Sequence, residues 1–139
     1  MHSSTGPAQP AQPAQPKRSK LVIVLAGSYG VFFLVMLWAA YNGQLPLGQL
    51  SKFHNFDKLG HLVLYCIPTY LGHRLLRHKH WQLQAILLPV FPSLFTLFTI
   101  TEELIQGLSP NRTLDAGDMV CSLLGIAGGY WLAQRSKGK

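Results

Sequence analysis

Charged residues are scarce in this chain and make up only 12% of its 139 positions. Soluble domains carry about 25%. Only five of the charged residues are acidic. So little charge cannot give a free cytosolic domain its polar surface, and the chain is too short for a second domain with its own core.

Cysteine is almost absent as well. Cys66 and Cys121 are too few for a disulfide framework, and their spacing is not that of a zinc site. Both lie in apolar segments, where small buried hydrophobic side chains are the simpler interpretation. A disulfide between them stays open as an alternative.

The N-terminal segment has almost nothing with which to build a core. A Pro-Ala-Gln triplet repeats from Pro7 to Pro16, and proline at every third position excludes helix and sheet. We predict a disordered or polyproline-like cytoplasmic tail over residues 1–20. A membrane domain over 21–134 and a basic C-terminus over 135–139 would follow it.

Long apolar runs are what the sequence does contain. Leu21 to Tyr41 has no charged residue and is long enough to cross a hydrocarbon core of about 30 Å as a helix. It exceeds the apolar region of a cleaved signal peptide. Three further spans are predicted over Leu59–Leu76, Trp81–Thr101 and Met119–Ala133, with proline kinks in the first two of these. The last is short and reaches about 20 residues if its helix begins near Asp115 and ends at Gln134. The predicted fold is all-α: a polytopic membrane protein with a bundle of four transmembrane helices.

The basic residues indicate how such a bundle would be oriented. Nine of the twelve lysines and arginines fall on the side that would hold both termini, and such residues stay on the cytoplasmic side. The net charge of +7 is thus mostly a topology signal. No nucleic-acid-binding module accompanies it, so nucleic acid is not expected as a partner. We predict a multi-pass membrane protein with both termini in the cytoplasm.

All five acidic residues fall on the opposite, outer side, at the ends of predicted helices. Asp57 and His61 are four residues apart and share one helix face. One face of the last predicted span repeats small or polar residues at helical spacing: Asp118, Ser122, Gly125 and Gly129. Small residues let another helix approach closely. We therefore expect the outer ends of spans two, three and four to converge into one polar site.

The polar residues of this predicted site have different candidate roles. The candidates for proton transfer or ion binding are His61, Glu103 and Asp118. The candidates for ligand binding are Asp57, Lys58, Gln106, Arg112 and Asp115. Lys58 and Arg112 suit a phosphate, which arginine holds with its two-pronged guanidinium. A simpler interpretation makes Asp115 the N-cap of the last helix and the remaining charges structural ion pairs.

A divalent cation is the less favoured ligand. His61 together with the carboxylates Asp57, Glu103 and Asp118 offers the oxygen and nitrogen donors that such an ion accepts. However, no H-E-x-x-H or comparable tight motif is present. The sequence therefore predicts no metal site.

Two segments of the chain read FDKLGH at 56–61 and EELIQGLSPNRTLDAGDMVCSLLG at 102–125. They resemble the VanZ-like family of small bacterial membrane proteins, and this resemblance implies a place in the bacterial inner membrane. The resemblance extends over roughly residues 50–130 and rests on an Asp-Lys-x-x-His helix entry, an acidic pair followed by glutamine, and a Pro-x-Arg-x-x-Asp-x-x-Asp segment before a glycine-rich helix. The chain departs from the family pattern at Ile105, where histidine is frequent, and at Ser122, where asparagine is common.

The founding member of that family is associated with resistance to the glycopeptide teicoplanin, so the resemblance implies a role in the cell envelope. It carries no agreed chemistry. We predict that the outer site binds or processes an envelope lipid or its headgroup, such as a prenyl phosphate or a phospholipid. The alternative is a non-catalytic accessory or scaffolding subunit with a membrane-protein partner. The sequence leaves open whether the protein is an enzyme and which cofactor it uses.

Overall fold

The computed structural model describes residues 19–45, 56–110 and 115–138, which are mostly helical. Helix α1 spans Lys20–Tyr41, α2 Phe56–Leu75, α3 Val90–Gln106 and α4 Ala116–Arg135. A short 3-10 turn, Ser136–Gly138, follows α4. Strands β1 (His80–Leu83) and β2 (Ile86–Pro89) form an antiparallel hairpin between α2 and α3. The prediction of a mainly helical fold is confirmed.

The predicted third span, Trp81–Thr101, is wrong over its first nine residues, which lie in the hairpin. Pro89 is the N-cap of α3 and not a kink within a longer helix. Its ring lacks an N–H and disfavours helical backbone in the residue before it. Pro92 fits the first turn of α3, where backbone N–H groups have no partner within the helix. The helix therefore begins at Val90.

Two helices in the described part of the chain, α1 and α4, are long and apolar enough to cross a membrane. The predicted bounds of the last span agree with α4, whose N-cap is Asp115. Residues 1–18 of the predicted disordered tail lie outside the described residues. Lys20, the last residue of that predicted tail, belongs to α1. Cys66 and Cys121 are both free.

Helices α2 and α4 form the most extensive pair in the fold, because two glycines of α4 lie directly against the backbone of α2. A Cβ atom on Gly125 would collide with the carbonyl oxygen of Leu62, and one on Gly129 would collide with that of Cys66. The expectation that one face of the last span packs closely within the chain is confirmed. This close approach fixes the relative position of the two helices.

Helix α1 rests on this pair through a few aromatic contacts. The ring of Phe33 meets that of Tyr65 edge-on at 5.4 Å between centroids. The Tyr29 hydroxyl donates to the carbonyl oxygen of Leu64 at 3.2 Å. The rest of α1 is largely exposed and apolar, with Val31 and Leu34 both more than 60% accessible. An exposed apolar surface of this kind usually marks contact with a membrane or with another protein.

The four helices alternate in direction, so polar residues collect at two opposite ends. At one end the Tyr41 hydroxyl donates to the carbonyl oxygen of Glu102 at 3.5 Å. At the other, the Gln134 amide nitrogen lies 3.4 Å from His73 Nε2. We call the first the acidic end; it holds Asp57, Lys58, His61, Glu102, Glu103, Gln106, Asp115 and Asp118. We call the second the basic end; it holds Lys20, Arg74, Arg77, Lys79, Arg135 and Lys137.

Candidate functional site: a polar cluster at the acidic end

One face of α2 supplies the centre of the cluster. Asp57, His61 and Tyr65 follow one another at intervals of four residues and therefore lie on the same side of the helix. His61 and Tyr65 are buried, and their rings stack with 6.2 Å between centroids and an angle of 10° between planes. Asp57 lies in the first turn and is exposed. The face thus runs from solvent into the bundle.

The first turns of α4 bring Asp118 and Ser122 against His61. The Ser122 hydroxyl lies 3.2 Å from His61 Nδ1, and a carboxylate oxygen of Asp118 lies 3.7 Å from His61 Nε2. Both residues of α4 are buried. The imidazole thus lies between a hydroxyl group on its Nδ1 side and a carboxylate on its Nε2 side, and these two contacts set its orientation.

Lys58 lies above this pair at the edge of the cluster. Its ammonium nitrogen is 3.5 Å from a carboxylate oxygen of Asp115 and 3.7 Å from one of Asp118. The Lys58 side chain is 41% exposed, so water screens both interactions. The ammonium closes the cluster on its solvent side.

Asp115 caps α4, as the simpler sequence interpretation expects. Its carboxylate accepts a hydrogen bond from the backbone N–H of Gly117 at 2.7 Å. That bond, and then the nearby charge of Lys58, hold the pKa of Asp115 below its ordinary value. Asp115 therefore carries a negative charge at neutral pH, at the helix terminus where the backbone dipole favours one.

The end of α3 adds two buried carboxylates. Glu102 accepts hydrogen bonds from the hydroxyl of Tyr65 at 3.4 Å and from the amide of Gln106. Glu103 is 2% exposed and interacts electrostatically with His61 and Asp118. The predicted binding residue Gln106 is buried and directed at its helix neighbour. The C-terminal end of α3 thus contributes to the same cluster as α2 and α4.

The structure brings seven of the eight predicted site residues to one end of the fold; the eighth, Arg112, lies outside the described residues. Sequence reasoning did not select Tyr65, Glu102 or Ser122 as site residues. Tyr65 was detectable, because it lies four positions after His61 on the same helix face. The contacts of Glu102 with Tyr65 and of Ser122 with His61 depend on how the helices pack. Local spacing indicated only that Glu102 lies one turn before Gln106 and that Ser122 shares a face with Asp118.

Three of these residues could hold a metal ion. One donor atom from each of Asp57, His61 and Asp118 lies within 4.8 Å of the others. Buried Asp118 also has an oxygen, Oδ1, without a hydrogen-bond partner. Chemically, the cluster offers a histidine and carboxylates for proton transfer, and a mixed set of oxygen and nitrogen donors for a cation.

Exposed apolar side chains surround the cluster on its flanks. Leu59 on α2 and Leu104 and Ile105 on α3 are each more than half exposed. Leu108, just after α3, is 86% exposed. Polar groups inside the helix bundle therefore lie next to a surface suited to lipid.

Comparisons with protein-family models, with curated proteins and with solved structures give no match to this chain. The resemblance to the VanZ-like family therefore stays a prediction from the motifs at 56–61 and 102–125.

Proposed function

We propose that the protein is a multi-pass membrane protein of the bacterial cell envelope, of VanZ-like type, whose acidic end receives the headgroup of an envelope lipid. The observation that supports this most is the position of the cluster. Its buried core, with His61, Glu103 and Asp118, lies inside the bundle, while Leu104 and Ile105 beside it are exposed and apolar. A lipid in the outer leaflet would reach such a site sideways.

In this proposal all four helices cross the membrane. Helix α3 has 17 residues and is about 26 Å long at 1.5 Å per residue, slightly less than a hydrocarbon core of about 30 Å. The exposed apolar side chains of the hairpin before it, such as Leu83, Ile86 and Leu87, extend its apolar surface. Helix α2 carries its polar groups on the face that packs against α4.

The distribution of positive charge supports cytoplasmic termini. Among the described residues, six lysines and arginines belong to the basic end and one, Lys58, to the acidic end. Reporter fusions at residues 50 and 110 should read as external, and a fusion at residue 78 should read as cytoplasmic. A cytoplasmic reading at 110 would contradict the proposed topology.

Among the described residues, Lys58 supplies the positive charge of the acidic end, and its side chain is partly exposed. We therefore assign Lys58 to the anionic part of a headgroup. The purified chain should retain phosphatidylglycerol or a prenyl phosphate in native mass spectrometry. Lys58→Gln should reduce that retention by about tenfold, the effect of losing a charge-assisted hydrogen bond worth about 1.4 kcal/mol.

Lys79→Gln is the matched control, since Lys79 is an exposed cation at the basic end. It should leave lipid retention unchanged. Equal retention by the wild type and Lys58→Gln, or an equal loss in both variants, would contradict a headgroup site at the acidic end.

A second candidate function is a non-catalytic accessory subunit. It is favoured by the contacts within the cluster, where Glu102 is already bonded to Tyr65 and Gln106. In that case Glu103→Gln, which removes a charge and keeps the shape, should leave both cellular level and function intact. Under the headgroup proposal, the same variant should be present at wild-type level with increased retention of an anionic lipid, because a negative charge near the headgroup is removed.

A further inference from the structure

We infer that Asp57, His61 and Asp118 form a binding site for one divalent transition-metal ion at the acidic end. The inference rests on the proposed function in one respect: the ion would add positive charge beside Lys58 for an anionic headgroup. Binding of the ion itself depends only on the three side chains.

The three donors come from two helices whose spacing is fixed. Asp57 and His61 are one turn apart on α2. Asp118 lies in the first turn of α4, about two turns before Gly125, where α4 contacts α2. One donor atom from each residue lies within 4.8 Å of the others. An ion bound at about 2.0–2.2 Å needs neighbouring donors about 3–3.5 Å apart. Asp57 is exposed and its side chain can turn towards the other two donors, while His61 Nε2 and the Asp118 carboxylate, 3.7 Å apart, need only a small shift.

His61 is already oriented as a metal ligand. Its Nδ1 lies 3.2 Å from the Ser122 hydroxyl, and its Nε2 faces Asp118 at 3.7 Å. Metal-bound histidines usually donate their other ring N–H to a hydrogen-bond acceptor, which fixes both the tautomer and the ring orientation. Ser122 thus plays the supporting role that an imidazole ligand requires.

An unsatisfied oxygen independently indicates a missing cation. Asp118 is 7% exposed, and its Oδ1 has no hydrogen-bond donor. The Lys58 ammonium is 3.7 Å from that atom, too far for a hydrogen bond, while it does bond to Asp115. Leaving a buried carboxylate oxygen without a partner is costly. A metal ion between Asp57, His61 and Asp118 would offset the negative charge of this buried carboxylate.

The charge balance agrees with a bound cation. The described residues of the acidic end include five carboxylates, Asp57, Glu102, Glu103, Asp115 and Asp118, and one lysine, Lys58. Such an excess of negative charge near the boundary of a membrane is destabilising unless a cation offsets it. A divalent ion would offset two of these negative charges beside the buried Asp118.

The donor set favours Mn²⁺ or Zn²⁺. Two carboxylates suit Mn²⁺, and an imidazole suits Zn²⁺ better than it suits Mg²⁺ or Ca²⁺. Three protein donors leave coordination positions open, as in metal sites that bind a substrate or water. A phosphate oxygen of a headgroup is a suitable ligand for such a position.

The test uses the full-length chain in detergent, treated with EDTA and free of added lipid. Titration with MnCl₂ or ZnCl₂ should show one ion per chain by calorimetry, with an increase in Tm on binding. Asp57→Asn and His61→Gln should each weaken binding by about tenfold or more. Asp57 is exposed, so its variant should fold even if His61→Gln does not.

His80→Gln is the matched control for His61→Gln, because His80 lies near the basic end and is outside the set of three donors. It should bind the ion as the wild type does. Absence of binding by the wild type, wild-type affinity in Asp57→Asn, or an equal loss in His80→Gln would overturn the inference.

Lipid retention measured with and without the ion separates this inference from the proposed function. Ion binding without any lipid retention would leave the metal site in place and contradict the headgroup site. Lipid retention by a chain that binds no ion would do the reverse. Retention that falls after EDTA treatment and returns with MnCl₂ or ZnCl₂ supports both.

Discussion

The two ends of this bundle carry charge in different ways. At the acidic end, charged side chains point inward and meet across three helices, so Glu103 and Asp118 are almost completely buried. At the basic end, cations lie on aromatic rings near the surface: Arg135 is 3.8 Å from the ring centroid of Trp131, and Arg74 donates to the Tyr70 hydroxyl at 2.7 Å. The first arrangement is typical of a binding site, and the second of an anchor at a membrane boundary.

The basic end also has buried polar residues, but of another kind. His73 is fully buried, and its ring packs edge-on against those of His78 at 4.7 Å and His80 at 5.7 Å between centroids. Cationic Arg74 and Lys137 lie close to His78. Histidines among cations are poorly placed to bind a metal ion, since like charges repel it. Clustered histidines alone therefore do not define a site; the surrounding charge decides.

The largest effect should come from Gly125→Leu, which separates the helices that hold the acidic end together. A side chain there must occupy the position of the Leu62 carbonyl, so we expect a loss of about 3 kcal/mol in the free energy of unfolding. Thermal unfolding and gel filtration in detergent would measure it. Gly30→Leu is the control, because no atom lies within 4 Å of a Cβ at Gly30. Equal stability of the two variants would contradict the close packing of α2 and α4.

A smaller loss of stability should follow from removing a tyrosine hydroxyl group, and its size should differ between the two ends. Tyr65→Phe removes a donor from the carboxylate of Glu102, which is 6% exposed, and should cost about 1–3 kcal/mol. Tyr130→Phe removes an acceptor from the partly buried amide of Gln134 and should cost about 1 kcal/mol or less. Denaturation of both variants in the same detergent would test this order. A larger loss in Tyr130→Phe would mean that the basic end depends more on its polar contacts.

The smallest effect should be a pH dependence at the basic end. Burial, and then the charges of Lys137, Arg74 and His80, lower the pKa of His78. The folded chain therefore favours neutral His78, while the unfolded chain takes up a proton near pH 6.5. Stability from this residue is lost as the pH falls below about 6.5. In His78→Asn, Tm should fall less than in the wild type between about pH 7.5 and 5.5.

Arg77→Asn is the control for that measurement. Arg77 and His78 both have left-handed backbone, with φ of 55° and 56°, a conformation that asparagine adopts easily. Relief of backbone strain would thus be similar in the two variants, and only His78→Asn should change the pH dependence. The same pH profile in both variants would show that His78 does not titrate as its surroundings indicate.

Local patterns in the sequence were enough to predict several features of the fold. The start of α4 at its Asp115 cap, its small-residue face and the shared face of Asp57 and His61 all follow from helical spacing or from capping chemistry. These features depend on residues a few positions apart. They could be predicted because the physical cause lies within one helix.

Features that depend on distant residues could not be predicted in this way. The hairpin has Gln84 at its turn with φ of 53°, without the glycine or asparagine that usually indicates such a turn. Its apolar strands resemble a helical span in composition. The hydrogen bond from Tyr65 to Glu102 joins residues 37 positions apart and requires the packing of two helices to be known.

The close contact between α2 and α4 also has a consequence for how the chain is made. The face of α2 that α4 covers includes His61 and Thr69, both buried, but α4 leaves the ribosome only after α2 and α3. In the membrane topology proposed above, that polar face has no permanent partner until α4 is synthesised. A nascent chain that ends before Ala116 should therefore hold its second helix in the bilayer less well than a chain that includes α4.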